Sequence, residues 1–155
     1  MKKWFKILMA ATIAFVAWGC GEPAEPVEPQ VPITAANISG VWKLNQWQGA
    51  AVAEEMIVYI EFVTSGRKFT LYQNVNSSVV DVITGTYNLS TNSIGQSILR
   101  GLYDYSDSTE WANRYEVKSL TASTMILQVY DEEATTTEGI ETLVYKRAEL
   151  PEEWK

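Results

Sequence analysis

The stretch MIVYIEFVTSGRKFTLYQN, residues 56–74, contains the pattern that decides the fold. Its first half has the two-residue period of a strand that buries one face, and the apolar positions on that face are Met56, Val58, Ile60 and Phe62. Residues 64–67, TSGR, have the length and composition of a hairpin turn, and a second run rich in strand-forming residues follows them. The stretch therefore predicts two neighbouring antiparallel strands.

The same alternation of strand and turn extends in both directions from this hairpin. Short segments rich in Val, Ile, Tyr, Phe and Thr are separated by clusters of Gly, Ser, Asn and Asp. We predict eight strands: Gly40 to Gln48, Met56 to Val63, Lys68 to Asn74, Val79 to Leu89, Gln96 to Tyr105, Arg114 to Leu120, Thr124 to Tyr130, and Ile140 to Arg147. Such an all-β, eight-stranded antiparallel up-and-down meander can close on itself and remove its edges, so we expect a barrel.

The fourth predicted strand has an irregular apolar pattern. Val82 is out of phase with Tyr87 and Leu89. A β-bulge at Gly85 would restore the phase, because glycine inside a strand often marks such an irregularity. The fifth strand is ambiguous, and its inward residues are left open.

The amino-acid composition excludes several kinds of covalent cross-link, metal site and catalytic mechanism. The chain has no histidine and one cysteine, which excludes an intramolecular disulfide, a Cys/His zinc site and Ser-His or Cys-His catalysis. Carboxylate chemistry and oxygen-bound Ca²⁺ stay open. The two acidic loops, Asp104 to Glu110 and Asp131 to Glu133 with Glu138, lack the spacing that either chemistry needs. We interpret both loops as solvated, and we expect no enzyme, no metal and no cofactor.

The first 19 residues have the organisation of an export signal. Three lysines, at positions 2, 3 and 6, precede an apolar run from Ile7 to Ala17 that is too short to span a bilayer as a mature helix. Residues 17–19, Ala-Trp-Gly, directly before Cys20 resemble the lipobox of bacterial lipoproteins, in which the cysteine is acylated. We expect a lipid on Cys20, and several acyl chains would anchor the domain stably to a membrane.

The mature chain is strongly acidic. Without the three lysines of the signal it has nine basic and nineteen acidic side chains, a net charge of −10. This balance argues against nucleic acid as a partner, and an anionic membrane surface would repel the domain. Membrane attachment therefore requires the lipid on Cys20, and we expect the domain itself to be a monomer.

A proline-rich segment separates the cysteine from the strands. Between Gly21 and Pro32 the pair Glu-Pro recurs at three-residue spacing, which favours an extended chain over a helix. We therefore assign 1–19 to the signal peptide, 20–37 to the lipidated cysteine and a flexible tether, 38–150 to the barrel domain, and 151–155 to a C-terminal tail.

Two places far apart in the sequence carry a family resemblance. Gly40-Val41-Trp42, at the start of the first strand, resembles the Gly-x-Trp signature of the lipocalins, and Arg147, with Lys146 beside it as the alternative, stands at the end of the last strand. The resemblance implies that Trp42 packs across the closed end of the barrel with a basic side chain over its ring. A guanidinium in that position adds about 0.5–2 kcal/mol by cation–π attraction. These roles of Gly40, Trp42 and Arg147 are structural.

The whole chain resembles the lipocalin-like lipoproteins of Bacteroidetes, in which a lipobox and a short linker precede a domain that opens with Gly-x-Trp. Residues 59–62 and 69–72 on either side of Ser65-Gly66 contribute to this resemblance. It implies a location in the cell envelope of a Gram-negative bacterium, with the lipid in the outer membrane. Asp107-Ser108-Thr109 also resembles the O-glycosylation signal of exported Bacteroidetes proteins, with Ser108 as the acceptor.

Two tryptophans are candidate binding residues. By parity with Trp42 we expect Trp47 to face outward, and we expect Trp111 to lie in an exposed loop. Exposed aromatic rings can stack on sugars or anchor a protein interface, and packing against a neighbouring loop is the alternative.

The fold suggests two functions. By analogy with the resembling family, we expect a non-enzymatic, lipid-anchored barrel that holds a small apolar or amphipathic ligand at its open end. The alternative is a protein or glycan interaction module of an envelope complex, with a barrel that is packed solid. The volume of any cavity inside the barrel discriminates between the two.

Overall fold

The structure, a computed structural model, describes residues 27–75, 77–105, 109–133 and 139–155. Its helix and strands are α1 (Ala35–Ile38), β1 (Gly40–Trp47), β2 (Ala50–Ala51), β3 (Val58–Val63), β4 (Lys68–Gln73), β5 (Asp81–Thr91), β6 (Ser97–Tyr103), β7 (Arg114–Leu120), β8 (Thr124–Tyr130) and β9 (Thr142–Arg147), and single 3-10 turns lie at Ser65–Arg67 and Glu152–Trp154. Within these ranges no helix is long and apolar enough to cross a membrane.

The predicted eight-stranded meander is confirmed. The strands pair antiparallel in the order β1-β3-β4-β5-β6-β7-β8-β9, and β9 pairs with β1 to close the barrel. The short strand β2, which the sequence pattern does not predict, pairs antiparallel with the last two residues of β1. Strands β3 and β9 begin two residues later than predicted, and β5 is shifted by two residues along the chain.

The barrel has two different ends. The base is the end where β1 begins and β9 ends, and α1 lies across it. The open end is where β1 ends and β9 begins. The largest fully buried side chains are Trp42, Phe62, Phe69, Ile38, Leu99, Leu120 and Met125. These side chains fill the barrel interior, and Ile38 and Trp42 belong to the base.

The predicted bulge at Gly85 is wrong. Strand β5 keeps a continuous register with both of its neighbours across Gly85. Gly85 faces the core, and a Cβ there would lie 2.6 Å from the ring of Phe69, so the glycine makes room for that ring. Val82 needs no phase correction, because its side chain simply points to solvent and is 58% exposed.

Register shifts occur instead in two strands whose sequence gave no such signal. One lies in β1 between Leu44 and Gln46, opposite β9. The other lies in β7 between Val117 and Ser119, opposite β8. Each shift reverses which later residues of the strand face the interior.

The last part of the predicted tether is bound to the base rather than free. The Glu28 carboxylate accepts hydrogen bonds from the hydroxyls of Thr121 (2.5 Å) and Ser123 (2.6 Å) in the turn between β7 and β8. The Val31 amide donates to the Leu120 carbonyl (2.8 Å), and the Val31 side chain packs on the core. The boundary predicted at 37/38 is therefore about ten residues too late, because this contact begins at Glu28.

The C-terminal residues also pack on the barrel. Trp154 stacks on Tyr72, with ring centroids 5.6 Å apart and an interplanar angle of 11°. It meets the ring of Tyr59 edge-on, also at 5.6 Å. Tyr59 and Tyr72 are cross-strand partners in β3 and β4. Residues 151–155 are therefore part of the folded domain on its outer surface, not a separate tail.

Candidate functional site

The base of the barrel is held together by Trp42 and Arg147. The Trp42 side chain is fully buried, and its Nε1 donates a hydrogen bond of 2.7 Å to the Ile38 carbonyl at the end of α1. The guanidinium carbon of Arg147 lies 3.9 Å from the centroid of the Trp42 ring. Partial burial lowers the pKa of Arg147, but the group stays charged at any physiological pH.

The same guanidinium donates hydrogen bonds to three backbone carbonyls at the base. Its Nη1 donates to the carbonyl of Ser39, its Nη2 to that of Asn37 at 3.0 Å, and its Nε to that of Ala122 at 3.3 Å. Gly40 leaves the space for it, because a Cβ there would lie 2.7 Å from Nη1, and its φ of +110° also disfavours any other residue. Gly40, Trp42 and Arg147 thus form one structural unit that closes the base.

A small cavity remains inside the barrel towards the open end. Its volume is about 150 Å³. Aliphatic and aromatic side chains from six strands and from the loop after β6 line it: Ile60, Phe62, Leu71, Tyr103, Trp111, Ala112, Tyr115, Leu127, Leu143 and Tyr145. The cavity volume of about 150 Å³ is below the range of about 300–1,000 Å³ that is usual for pockets of drug-sized ligands. It equals the volume of an apolar protein cavity that holds benzene.

Trp111 forms one wall of this cavity, so the prediction that it lies in an exposed loop is wrong. The backbone after β6 turns back on that strand, and the Trp111 amide donates to the Gly101 carbonyl at 2.9 Å. The indole then covers Gly101, where a Cβ would lie 2.0 Å from it. It packs edge-on against Phe69 at 5.0 Å and against Tyr115 at 6.2 Å.

Trp47 lies at the rim, and the prediction that it faces outward is contradicted by the register. Trp47 is the cross-strand partner of Leu143, and direct partners project to the same face of a sheet. Leu143 is buried and lines the cavity, so Trp47 is on the inner face although it is 38% exposed. The register shift after Leu44 reverses the parity counted from Trp42.

Three tyrosines give the cavity its polar atoms. Burial raises the pKa values of Tyr103 and Tyr115 above the ordinary value of 10.0. Burial raises that of Tyr145 much further, and the nearby charge of Glu141 adds to the effect. All three hydroxyls are therefore neutral at physiological pH, and they can donate or accept hydrogen bonds.

Larger concave regions lie outside the barrel, and two of them adjoin the end of β8. One, of about 520 Å³, lies among Ala112–Arg114 and Val129–Glu133, and the other, of about 240 Å³, runs from Gln96 across Glu116 to Tyr130. Both border the long loop after β8, and Asp131 to Glu133 belong to the first. Within the described ranges no three acidic side chains come close enough together to bind a metal ion.

Several predicted features lie outside the residues that the structure describes. They are the signal peptide 1–19, Cys20, the first part of the tether, Asp107, Ser108 and Glu138. Asp104 and Glu110, at either end of the first acidic loop, are described and lie at the open end beside Tyr103 and Trp111.

The fold and the cavity define a class, the small up-and-down β-barrels with one closed and one open end. A family model described as a lipocalin-like domain matches residues 38–127, and the chain belongs to this family. The match ends within β8, so β9 and Arg147, which close the barrel and its base, lie beyond it.

One solved structure is similar to the chain. It is described as a lipocalin-like protein from Bacteroides uniformis, and it is 13% identical over 72% of this chain and 99% of that one, with a TM-score of 0.48. No sequence among the curated proteins matches the chain.

Sequence reasoning assigned only part of the cavity. It placed Ile60 and Phe62 inside by their alternation, but it missed Tyr103, Tyr115 and Tyr145 as one cluster, because they come from β6, β7 and β9, and β8 separates the last two strands in the sheet. Gly85 and Gly101 were the sequence features that could have indicated where aromatic rings pack inside the barrel. A glycine on the inner face of a strand indicates that another group, here an aromatic ring, approaches closely.

Proposed function

We propose that this protein is a lipid-anchored protein of the cell envelope that holds a small apolar or amphipathic ligand at the open end of its barrel. The observation that carries the proposal is the cavity of about 150 Å³, because the rest of the interior is filled by side chains and this space is left beside Trp111. Membership of the lipocalin-like family supports ligand binding by analogy of fold.

The size of the cavity limits what can enter it. A space of this volume accommodates one aromatic ring or a short aliphatic segment, not a whole lipid. A larger ligand would insert one apolar group between Trp111 and Leu143 and leave its remaining part at the rim. The neutral tyrosine hydroxyls would fix the orientation of a polar group next to the ring.

The contacts of residues 28–31 support a defined orientation at the membrane. Because Glu28 is bound to the turn between β7 and β8, the chain approaches the barrel at its base. Eight residues from Cys20 to Glu28 span at most about 29 Å when fully extended. A lipid on Cys20 would thus hold the base towards the membrane and direct the cavity away from it.

The test of the cavity uses residues 27–155, which contain the closed barrel and the segment bound to its base. We expect saturable one-to-one binding of a small hydrophobic fluorophore, with a negative heat-capacity change in calorimetry. Leu71→Trp places a large side chain in the cavity and should abolish binding. Thr70→Trp, on the same strand but on its outer face, is the matched control and should bind normally. Binding that survives Leu71→Trp would reject the cavity as the site.

The test of the anchor uses the full-length chain in cells. Wild type should incorporate a radioactive fatty acid and fractionate with the outer membrane, and Cys20→Ala should lose the label. A Cys20→Ala variant that stays labelled and membrane-bound would refute lipidation at this residue.

An interaction module remains the second candidate, and one observation favours it. Three valines with exposed side chains lie within eight residues of one another in the sequence, at the start of β5 and in the loop before it: Val75 (38%), Val79 (68%) and Val82 (58%). Exposed apolar clusters of this kind often contact another protein. Loss of all ligand binding in the test above would leave this surface as the better explanation.

A further inference from the structure

The rim of the cavity has an acidic residue on its inner face. Glu141 precedes β9, and its carbonyl accepts a hydrogen bond of 2.9 Å from the Val129 amide, so it continues the ladder between β8 and β9. By alternation it shares a face with Leu143 and Tyr145, which line the cavity. The influence of its charge on the pKa values of Tyr115 and Tyr145 is consistent with this position.

Two further carboxylates are sequence neighbours of residues that line the cavity. Asp104 follows Tyr103 directly, and Glu110 precedes Trp111 directly, but Glu110 pairs with the outward-facing Leu102 and borders an outer groove with Arg100. Arg114, next to Tyr115, is the basic residue at this end, and its side chain belongs to the outer groove with Asp131. Among the described residues that line the cavity there is no Lys or Arg. Glu141 is therefore the charged side chain that alternation places on the inner face of the rim.

The inner wall at the same level is aromatic. Trp111, Tyr103 and Tyr115 present ring systems around the entrance, and Trp47 lies on the inner face of the rim. Aromatic faces attract cations, and an aromatic enclosure is a common way to bind a quaternary ammonium group. The rest of the wall includes the aliphatic side chains of Ile60, Leu127 and Leu143.

We infer that the cavity takes a small amphiphile whose apolar end enters between Leu127 and Leu143 and whose cationic head stays at the rim between Trp111 and Glu141. This inference rests on the proposed ligand-binding function and names its chemical class. A carboxylate or phosphate head would meet the same rim with like charge and without any basic side chain in the wall, so fatty acids and anionic lipids are disfavoured.

The experiment compares three probes that share one benzyl group and carry a cationic, a neutral or an anionic head. These are benzyltrimethylammonium, benzyl alcohol and phenylacetate, titrated into residues 27–155 and followed by NMR shifts of the cavity residues. We expect benzyltrimethylammonium to bind about tenfold more tightly than phenylacetate, a difference of about 1.4 kcal/mol, with benzyl alcohol between them. Raising the salt from about 0.01 M to about 1 M should remove most of the difference, because the rim charges are screened.

Two variants identify the source of the preference. Glu141→Gln keeps the shape of the side chain and removes its charge, so it should lower the ratio of cation to anion affinity at least about threefold. Glu149→Gln is the matched control, because Glu149 is exposed at the base, at the opposite end of the barrel. It should leave the ratio unchanged.

The outcomes distinguish failure of the charge preference from failure of the ligand site. Equal affinities for the three probes, or tighter binding of phenylacetate, would overturn the preference for a cation while the ligand site itself stands. Failure of all three probes, including neutral benzyl alcohol, would overturn the proposed function and this inference together. An unchanged ratio in Glu141→Gln would overturn the role of Glu141 as the charge that selects the head group.

Discussion

Replacing Trp42 should cost the domain a large part of its stability. The ring is fully buried, and deletion of a buried large aromatic side chain costs about 3–5 kcal/mol. Trp42→Ala also removes the cation–π partner of Arg147 and the donor to the Ile38 carbonyl. Since small domains have a total stability of about 5–15 kcal/mol, Trp42→Ala should remain folded only marginally.

Trp42→Phe separates these contributions. Phenylalanine keeps an aromatic face under Arg147 but has no N–H, so the Ile38 carbonyl loses its hydrogen bond at a cost of about 1–3 kcal/mol. A double-mutant cycle of Trp42→Ala with Arg147→Met removes the ring and the guanidinium in turn and should give a coupling energy of about 0.5–2 kcal/mol. Urea unfolding of residues 27–155, followed by far-UV circular dichroism, measures all four variants. A loss of less than about 1 kcal/mol in Trp42→Ala would refute the account of the base.

Three further variants test other parts of the structure. Trp111→Ala should lower stability by about 1–3 kcal/mol in urea unfolding and weaken ligand binding, and a loss near zero would place the indole outside the barrel. Tyr87→Phe should be neutral or should stabilise the domain by up to about 1 kcal/mol. The reason is that the Tyr87 hydroxyl is buried without a hydrogen-bond partner in the described part of the chain. A clear loss of stability would show that this hydroxyl has a partner. The pKa of Glu28 is lowered by its bonds to Ser123 and Thr121, so the contact is complete above the ordinary pKa of 4.5 and is lost as the pH falls through the lowered value. In wild type, hydrogen-exchange protection of the Val31 amide should therefore fall as the pH drops through the lowered pKa of Glu28, and in Glu28→Gln it should be weak at every pH. A pH-independent wild type would contradict this.

The fold was largely predictable because its signal is local. The alternation of Met56 to Phe62 and the turn at residues 64–67 specify a hairpin without reference to the rest of the chain. Closure of the barrel followed from the number of strands. The segment from Glu28 to Ile38 was not predictable in the same way, because its conformation depends on contacts with β7, β8 and Arg147 that lie about a hundred residues further along.

The candidate site was less predictable than the fold, for two physical reasons. A register shift at one residue of β1 reverses the side to which Trp47 points, and nothing in the sequence of that strand marks the shift. The position of Trp111 depends on a close approach to Gly101 across a turn, which strand periodicity does not describe. Both errors concern residues that were correctly singled out as candidates but were placed on the wrong surface.

The most direct test of the account is a crystal structure of residues 27–155 determined under xenon pressure, because xenon occupies apolar protein cavities of this size. We expect one strong xenon site inside the barrel, bounded by Trp111, Leu127 and Leu143, and none beneath Trp42 at the base. A barrel with no xenon inside, or with the Trp111 indole turned out into solvent and side chains filling its place, would contradict the claim that the open end holds a ligand.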